Sequence, residues 1–166
     1  PIHTGGFTNN FEYKGFDLSV FFQWSYGNDV LNANRLFFDS GFQKKRELNQ
    51  YASYTDRWTP ENPNSNIPAA TNSSSNLVIS SRVVEDASFL RLKTVTLGYT
   101  VPKTFLKKYK IDNARLYVAA QNLWTITGYS GYDPEVSIRS GGLTPGLDFS
   151  SYPRALSVSF GINLGF

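Results

Sequence analysis

Few residues of this chain carry side chains suited to catalysis. The sequence has a single histidine, His3, and no cysteine, so a zinc site would lack its usual ligands. Asp133 and Glu135 flank Pro134 and form a pair of acids that could hold a cation or accept hydrogen bonds from sugar hydroxyls. The alternative is a turn fixed by the proline, with both acids in solvent. The sequence contains no nucleophile elbow, phosphate loop or calcium-loop spacing, so we expect no enzyme, no metal and no cofactor.

Aromatic side chains offer a second kind of chemistry. The chain contains 3 Trp, 10 Tyr and 13 Phe. Such rings stack on sugar rings or pack against apolar peptide side chains, and Tyr and Trp often anchor interfaces. Four rings in polar stretches, together with one acid, are the candidate contacts with a substrate or partner: Trp58, Tyr129, Tyr132, Asp133 and Phe149. The alternative is that these rings only pack the loops together.

Alternation of large apolar residues with small or polar ones is the pattern that must position these candidates. Every second residue from Leu156 to Phe166 is large and apolar, and the residues between them are small or polar. The same pattern runs from Phe16 to Tyr26, where Phe21 is the one intervening residue that is large and apolar. A period of two places the apolar side chains on one face of a strand. Strands that cross a membrane need about 9–11 residues, which is the length of both segments.

Five strands follow from this pattern, at about 4–13, 16–27, 88–101, 114–125 and 156–166. Lys14-Gly15 is typical of a two-residue hairpin turn. The connections alternate in length, with two and about a dozen residues at one end of the strands and about sixty and thirty at the other. In outer-membrane barrels the short turns face the periplasm and the long loops face outside. The longest connection begins with a stretch compatible with a helix, from Val30 to about Tyr54.

The fold class that we predict is all-β, a segment of an antiparallel transmembrane β-barrel with long extracellular loops, one of them partly helical. The mean hydropathy of −0.32 excludes a helical membrane protein but suits strands that are only half apolar. The residues expected to face lipid are Val20, Phe22, Val95, Leu97 and Val158. The alternative is a soluble, aromatic-rich β-sandwich that binds carbohydrate and buries one face of each sheet.

Lysines and arginines occur in two short groups. Lys44, Lys45 and Arg46 form the first, and Lys103, Lys107, Lys108 and Lys110 form the second. The net charge is only +3, and no fold motif of nucleic-acid-binding proteins accompanies them. We therefore interpret both groups as solvated surface and expect no nucleic-acid partner.

Several motifs together resemble one family of membrane proteins. They are RWTPENP (57–63), EDASFLRLK (85–93), LGY (97–99), ARLY (114–117), QNL (121–123), GYDPE (131–135) and YPRA (152–155). With them, nearly the whole chain resembles the C-terminal region of SusC/RagA-type TonB-linked (TonB-dependent) outer-membrane transporters.

This resemblance implies the last five strands of a 22-stranded barrel in the bacterial outer membrane. The plug, the segment that contacts TonB and the other strands would then lie outside this chain. The family imports oligosaccharides or peptides with energy transmitted by TonB, and a SusD-type lipoprotein covers its extracellular mouth. The partners implied are therefore the remainder of the barrel, this lipoprotein, TonB, membrane lipid and the substrate.

Phe166 closes the last alternating strand and resembles the terminal signal that the barrel-assembly machinery reads. Strand addition to a template would satisfy backbone donors and acceptors while alternate side chains fill pockets and set the register. The side chains expected to fill them are Phe160, Ile162, Leu164 and Phe166. The alternative is that Phe166 is one more residue of an aromatic belt.

Deleting Phe166, or adding one polar residue after it, is expected to slow barrel assembly more than it destabilises assembled barrels. The reason is that the signal acts only while the strand is being added to its template. Pulse-labelled assembly in cells and unfolding of purified barrels measure the two effects separately. If the deletion variant assembles at the normal rate, Phe166 is not an assembly signal and is only a residue of the aromatic belt.

Overall fold

The chain forms two compact units in the computed structural model, which describes residues 1–41, 49–71, 77–137 and 146–166. The first unit comprises Pro1–Gly27, Ser88–Gly128 and Arg154–Phe166. The second comprises Asn28–Ala87 and Tyr129–Pro153, so the two long connections build it. Lys44, Lys45 and Arg46 lie outside the described residues.

The first unit is a five-stranded antiparallel sheet. Numbered in chain order, its strands are β1 (His3–Tyr13), β2 (Phe16–Tyr26), β5 (Phe89–Thr100), β6 (Asn113–Thr127) and β8 (Ser157–Gly165). Their order in the sheet is β1-β2-β5-β6-β8, so β1 and β8 are its edges. Each strand begins and ends within two residues of the bounds expected from the sequence.

The second unit contains short elements. Its sheet has the order β4-β3-β7, formed by β3 (Asp29–Asn32), β4 (Val84–Asp86) and β7 (Leu147–Asp148), with β7 parallel to β3. In the part of this unit that the structure describes, there are also one helix, α1 (Ala33–Phe38), and 3₁₀ turns at Ala52–Asp56 and Ser81–Val83. Within the described ranges, no helix of the chain is long and apolar enough to cross a membrane.

The predicted all-β antiparallel fold with a partly helical long connection is confirmed. The helix described there, α1, is shorter than the stretch from Val30 to Tyr54, of which residues 42–48 lie outside the described ranges. Val30 is in β3, where it pairs with Glu85, instead of beginning a helix. After α1 the chain turns at Gly41, whose φ of 66° suits glycine, and a side chain there would overlap the ring of Tyr54. Helical spacing in the sequence therefore marked the right connection but not the helix bounds.

The two short connections of the first unit are ordered turns. Lys14 and Gly15 both have positive φ, 47° and 88°, as a two-residue type I′ hairpin requires. Between β5 and β6 the chain forms α2 (Lys103–Leu106) and a 3₁₀ turn at Lys107–Tyr109. Lys110, at φ 57°, ends this helical segment in the left-handed region.

A bulge in β5 keeps its apolar residues on one face. Phe22 of β2 pairs with Leu92, whereas the preceding Phe21 pairs with Thr94, which leaves Lys93 as an extra residue. The extra residue reverses the alternation, so Leu92 and Val95 face the same side although they are three positions apart. Without it, one half of β5 would turn its apolar side chains to the polar face.

The strand β6 matches this bulge with two extra residues of its own. Leu92 pairs with Trp124 and Thr94 pairs with Gln121, so Asn122 and Leu123 have no opposite partner in β5. Asn122 has a φ of 53°, a conformation that asparagine tolerates better than most residues. Since two residues are inserted, the alternation of β6 is unchanged across the bulge.

The sheet consequently has one continuous apolar face. Val20, Val95, Ala120 and Val158 form a row across β2, β5, β6 and β8, and rows on either side of it are aromatic or aliphatic. The five residues predicted to face lipid all lie on this face: Val20, Phe22, Val95, Leu97 and Val158. The opposite face carries mainly serine, threonine, glycine and charged side chains.

A salt bridge crosses the polar face near the short connections. Arg115 of β6 donates from Nε to Asp17 Oδ1 of β2 at 3.0 Å, and its Nη2 donates to Oδ2. Gly98 of β5 lies between the two strands, and a Cβ at this position would overlap both charged groups. Glycine here therefore lets two strands that are not neighbours exchange a bidentate ion pair.

Arginine at Val20 or Val158 is expected to lower the free energy of unfolding in bilayers by about 2–4 kcal/mol, because a charge on the lipid side of a barrel is costly at mid-bilayer. Arginine at the adjacent Ser19 or Ser159, on the polar face, is expected to cost far less. Unfolding of the paired variants of the full receptor in bilayers measures the difference. Equal costs on the two faces would mean that inside and outside are misassigned.

Candidate functional site

Glu85 joins three segments of the second unit. Its Oε1 accepts hydrogen bonds from Asn32 Nδ2 at 3.0 Å, Arg35 Nη1 at 3.3 Å and Ser130 Oγ at 2.9 Å. Its Oε2 accepts one from the backbone N–H of Ser130 at 2.9 Å. One carboxylate therefore holds the start of the first long connection, the end of the same connection and the start of the second.

Asp39 extends this network. Its carboxylate is fully buried and lies 3.4 Å from Arg35 Nη2 and 3.7 Å from Arg82 Nη1. Ser53 Oγ donates to its other oxygen at 3.0 Å. Arg35 thus bridges Asp39 and Glu85, and buried acids paired in this way resist the separation of the segments that carry them.

The network lowers the pKa of Glu85. Burial alone would raise the pKa of this carboxyl, but the hydrogen bonds from Ser130, Asn32 and Arg35 outweigh burial and hold it below the ordinary glutamate value. A lowered pKa means that the charge contributes stability above the ordinary value, and that this stability is lost as the pH falls through the lowered one.

Tyr129, one of the candidate contacts with a substrate or partner, is a buried residue in the structure. Its side chain is buried with Val30 and Ala87 in the small core of this unit. Its hydroxyl donates to Asp148 Oδ2 at 2.7 Å. Burial, with the hydrogen bond to Asp148, raises the pKa of this hydroxyl. This burial favours the alternative that the ring packs the loops together.

Asp133, the acid among the candidate contacts, is also buried. Its Oδ1 accepts a hydrogen bond from the backbone N–H of Glu135 at 3.0 Å. This is the local turn that Pro134 favours. No group of three histidine or acidic residues in the described ranges could hold a metal ion.

A cleft of ≈ 570 Å³ lies in the second unit. It is lined by Asn34, Phe38, Asn49, Gln50, Tyr51, Tyr132, Ser150, Ser151, Tyr152 and Pro153. Tyr132 and Tyr152 are exposed over 82% and 89% of their surface. Rings beside amide groups can stack on a flat ligand and hydrogen-bond to its rim, which suits a sugar or a peptide.

The cleft depends on contacts between distant segments. The backbone N–H of Ser150, a residue at φ 54°, donates to Asn34 Oδ1 at 2.7 Å and fixes the tyrosine-bearing stretch that follows. Burial, together with nearby Tyr132 and Asp148, raises the pKa of Tyr51, so its hydroxyl stays protonated and can donate.

The sequence-based candidates are only partly gathered here. Tyr132 lines the cleft, whereas Trp58 and Phe149 do not. Trp58 is partly exposed, and its backbone N–H donates to the Ile67 carbonyl at 2.8 Å. Phe149 packs against Phe37, with ring centroids 5.0 Å apart. Sequence reasoning missed Tyr51 and Tyr152, although Tyr152 stands in the YPRA motif quoted above.

Known proteins resemble this chain over its whole length. TonB-dependent receptor P3 of Formosa agariphila is 38% identical and matches 100% of the chain, and TonB-dependent receptor SusC of Bacteroides thetaiotaomicron is 29% identical over 97% of it. The structure of the RagAB peptide transporter superposes on 98% of the chain with a TM-score of 0.81 and 32% identity. The chain belongs to the SusC/RagA-type TonB-dependent receptors. No family model matches the chain.

The chain represents a small part of such a receptor. It spans about one sixth of the length of the curated relatives that it matches, 16% of P3 and 15% of SusC, and 17% of the RagAB chain. The structural neighbours are barrels of TonB-dependent transporters, and the open sheet of the first unit is a segment of such a barrel. The total of 22 strands stays a prediction.

Replacing Glu85 of the receptor by glutamine is expected to lower the free energy of local unfolding of the second unit by about 2 kcal/mol, because hydrogen bonds to a charged group are lost. Amide hydrogen exchange should become faster around Asn32 and Ser130. In the wild type, protection of these amides from exchange should also decrease as the pH falls below about 4.3, the ordinary glutamate pKa. It should decrease less in the variant.

The matched control for this substitution is Glu61→Gln, at an exposed acid of the same unit. It is expected to leave exchange unchanged. If amide exchange is equally fast in the Glu85→Gln and Glu61→Gln variants, the Glu85 carboxylate does not hold the three segments together.

Proposed function

We propose that the receptor to which this chain belongs is an active outer-membrane importer of oligosaccharides or peptides. It would use energy transmitted by TonB and act with a SusD-type lipoprotein. Its similarity to SusC and to the RagAB peptide transporter supports this proposal. The membrane, the energy source, the partner lipoprotein and the substrate belong to the proposal.

The observation that carries the proposal is the exposed apolar face of the sheet. Phe160 is 82% exposed there, and Phe11, Leu97 and Ile162 are exposed as well. A soluble protein rarely leaves so large an apolar surface in water, whereas the outer surface of a membrane barrel must be apolar. The edges β1 and β8 would pair with other strands of the same barrel, since lipid cannot satisfy unpaired backbone groups.

The lengths of the connections give the proposed orientation. The short β1–β2 and β5–β6 connections would face the periplasm, and the second unit, built from the long connections, would face outside. Two aromatic belts would then mark the membrane surfaces, with Trp24, Tyr26 and Trp124 at the outer one and Tyr13, Phe16, Tyr99 and Phe166 at the inner one.

The cleft is the proposed place where this chain contacts substrate. Tyr51, Tyr132 and Tyr152 supply rings, and the amides of Asn34 and Gln50 supply donors and acceptors. Trp58 and Phe149, both partly exposed, are retained as candidate contacts with substrate or with the lipoprotein. Oligosaccharides and peptides both offer flat surfaces with polar rims, so the chemistry suits either class.

The alternative, a soluble carbohydrate-binding β-sandwich, needs a second sheet large enough to bury the apolar face. The sheet of the second unit has strands of two to four residues, against nine to fifteen in the first. Extraction of the full polypeptide separates the two functions. Release only by detergent is expected for the importer, whereas a monodisperse protein in plain buffer would establish the sandwich.

Alanine at both Tyr132 and Tyr152 is expected to raise the half-saturating substrate concentration for uptake about tenfold, because two stacking contacts of about 0.5–1.5 kcal/mol each are lost. Phenylalanine at both positions keeps the rings and should restore most of the affinity. Val78→Ala, at an exposed residue of the same unit that does not line the cleft, is the control. Unchanged uptake in the double alanine variant would exclude the cleft as a substrate contact.

A further inference from the structure

The connection between β5 and β6 has an unusual surface for a turn. Its four lysines, Lys103, Lys107, Lys108 and Lys110, are all exposed. Phe105 and Tyr109 are also exposed, over 70% and 68% of their surface. The connection thus exposes two aromatic rings together with its four lysines.

This connection is held firmly without using those side chains. Leu106 is buried, and its carbonyl accepts a hydrogen bond from the N–H of Ile111 at 3.4 Å. The N–H of Val101 donates to Ala114 at 2.9 Å, and that of Asp112 donates to Gly165 at 2.8 Å. The two exposed rings are therefore not needed for packing within the sheet.

The apolar face reaches this connection through a row of aromatic rings. Tyr13, Phe16 and Tyr99 are consecutive in the paired row at the end of β1, β2 and β5, and the rings of Phe16 and Tyr99 are 4.6 Å apart. The Lys14 ammonium lies 5.1 Å from the centre of the Tyr13 ring. Apolar side chains, aromatic rings and ammonium groups thus follow one another toward this end of the sheet.

Lysines outnumber acids in the two connections at this end, and of the acids beside them in β1 and β2, Glu12 and Asp17, the latter is paired with Arg115. The turn at 14–15 and the connection at 102–112 hold five lysines and one acid, Asp112. The order of apolar, aromatic and basic groups matches the layers of one membrane leaflet, where rings lie at headgroup depth and lysines extend to the phosphates. Solvated lysines alone would not require exposed rings between them.

We propose that this surface, the basic rim (Lys14, Lys103, Phe105, Lys107, Lys108, Tyr109 and Lys110), binds the anionic phospholipid headgroups of the periplasmic leaflet. The proposal rests on the orientation given under the proposed function. Each lysine near an anionic surface strengthens binding by about fivefold, and salt weakens it.

The test uses the full receptor in phospholipid vesicles with spin-labelled lipids as probes. Wild type is expected to immobilise phosphatidylglycerol several-fold more than phosphatidylcholine at low salt. The preference should fall toward one at high salt and in a variant with glutamine at Lys103, Lys107, Lys108 and Lys110. The matched control replaces Lys44, Lys45 and Arg46 by glutamine and should keep the full preference. The heat-modifiable gel shift of an intact barrel verifies folding of each variant.

Three results would overturn the inference. An equal preference in wild type and the four-lysine variant excludes the rim as the lipid site, and normal uptake by that receptor would leave the proposed function standing. Sedimentation with purified peptidoglycan that the variant loses, without any lipid preference, would assign the rim to the cell wall. If wild type instead prefers the phosphates of lipid A in the outer leaflet, and the variant loses this preference, the connection lies at the outer surface of the membrane. The proposed orientation would then be wrong, and both proposals would be contradicted.

Discussion

All five long strands must present their apolar side chains to the same side, and the pairing of β5 with β2 and β6 is where the chain meets this constraint. The extra Lys93 reverses the alternation of β5 at the point where its apolar residues change from even to odd positions. Opposite this bulge, β6 has two residues without partners in β5, Asn122 and Leu123, and because they are two, the alternation of β6 does not change. If the ladder were regular, Leu90 and Leu92 would lie on the polar face, and no continuous apolar surface would remain for lipid. The exposed apolar face of the sheet follows from this register.

The second unit combines a small apolar core with a network of charged groups. Glu85 lies in β4 and binds residues of both long connections, while Arg35 links it to the buried Asp39. The only buried apolar cluster described there, Val30, Ala87 and Tyr129, is small. A hydrogen-bonded carboxylate therefore joins the ends of the two long connections beside this small cluster.

Alternation and turn chemistry predicted the strands, the hairpin at Lys14-Gly15 and the common face of Val20, Val95 and Val158, because these features are local in sequence. The bulge was not predictable, since Lys93 is an extra residue only relative to its partners in β2. Nor does the residue type of Tyr129 distinguish a ring that contacts a ligand from one that packs on Val30. The cleft escaped because Tyr51 and Tyr152 lie about a hundred residues apart, and only tertiary structure brings them to one surface. The role of Glu85 was missed for the same reason, although the motif that contains it was noticed.

The most direct test of the central claim, that the apolar face contacts lipid, is spin labelling along β8. Single cysteines at positions 157–165 of a receptor without other cysteines would carry a nitroxide, and its collisions with oxygen and with a water-soluble nickel chelate would be measured in vesicles. The account predicts a period of two, with oxygen favoured at Val158, Phe160, Ile162 and Leu164 and not at the residues between them. A flat profile, or the opposite phase, would contradict it.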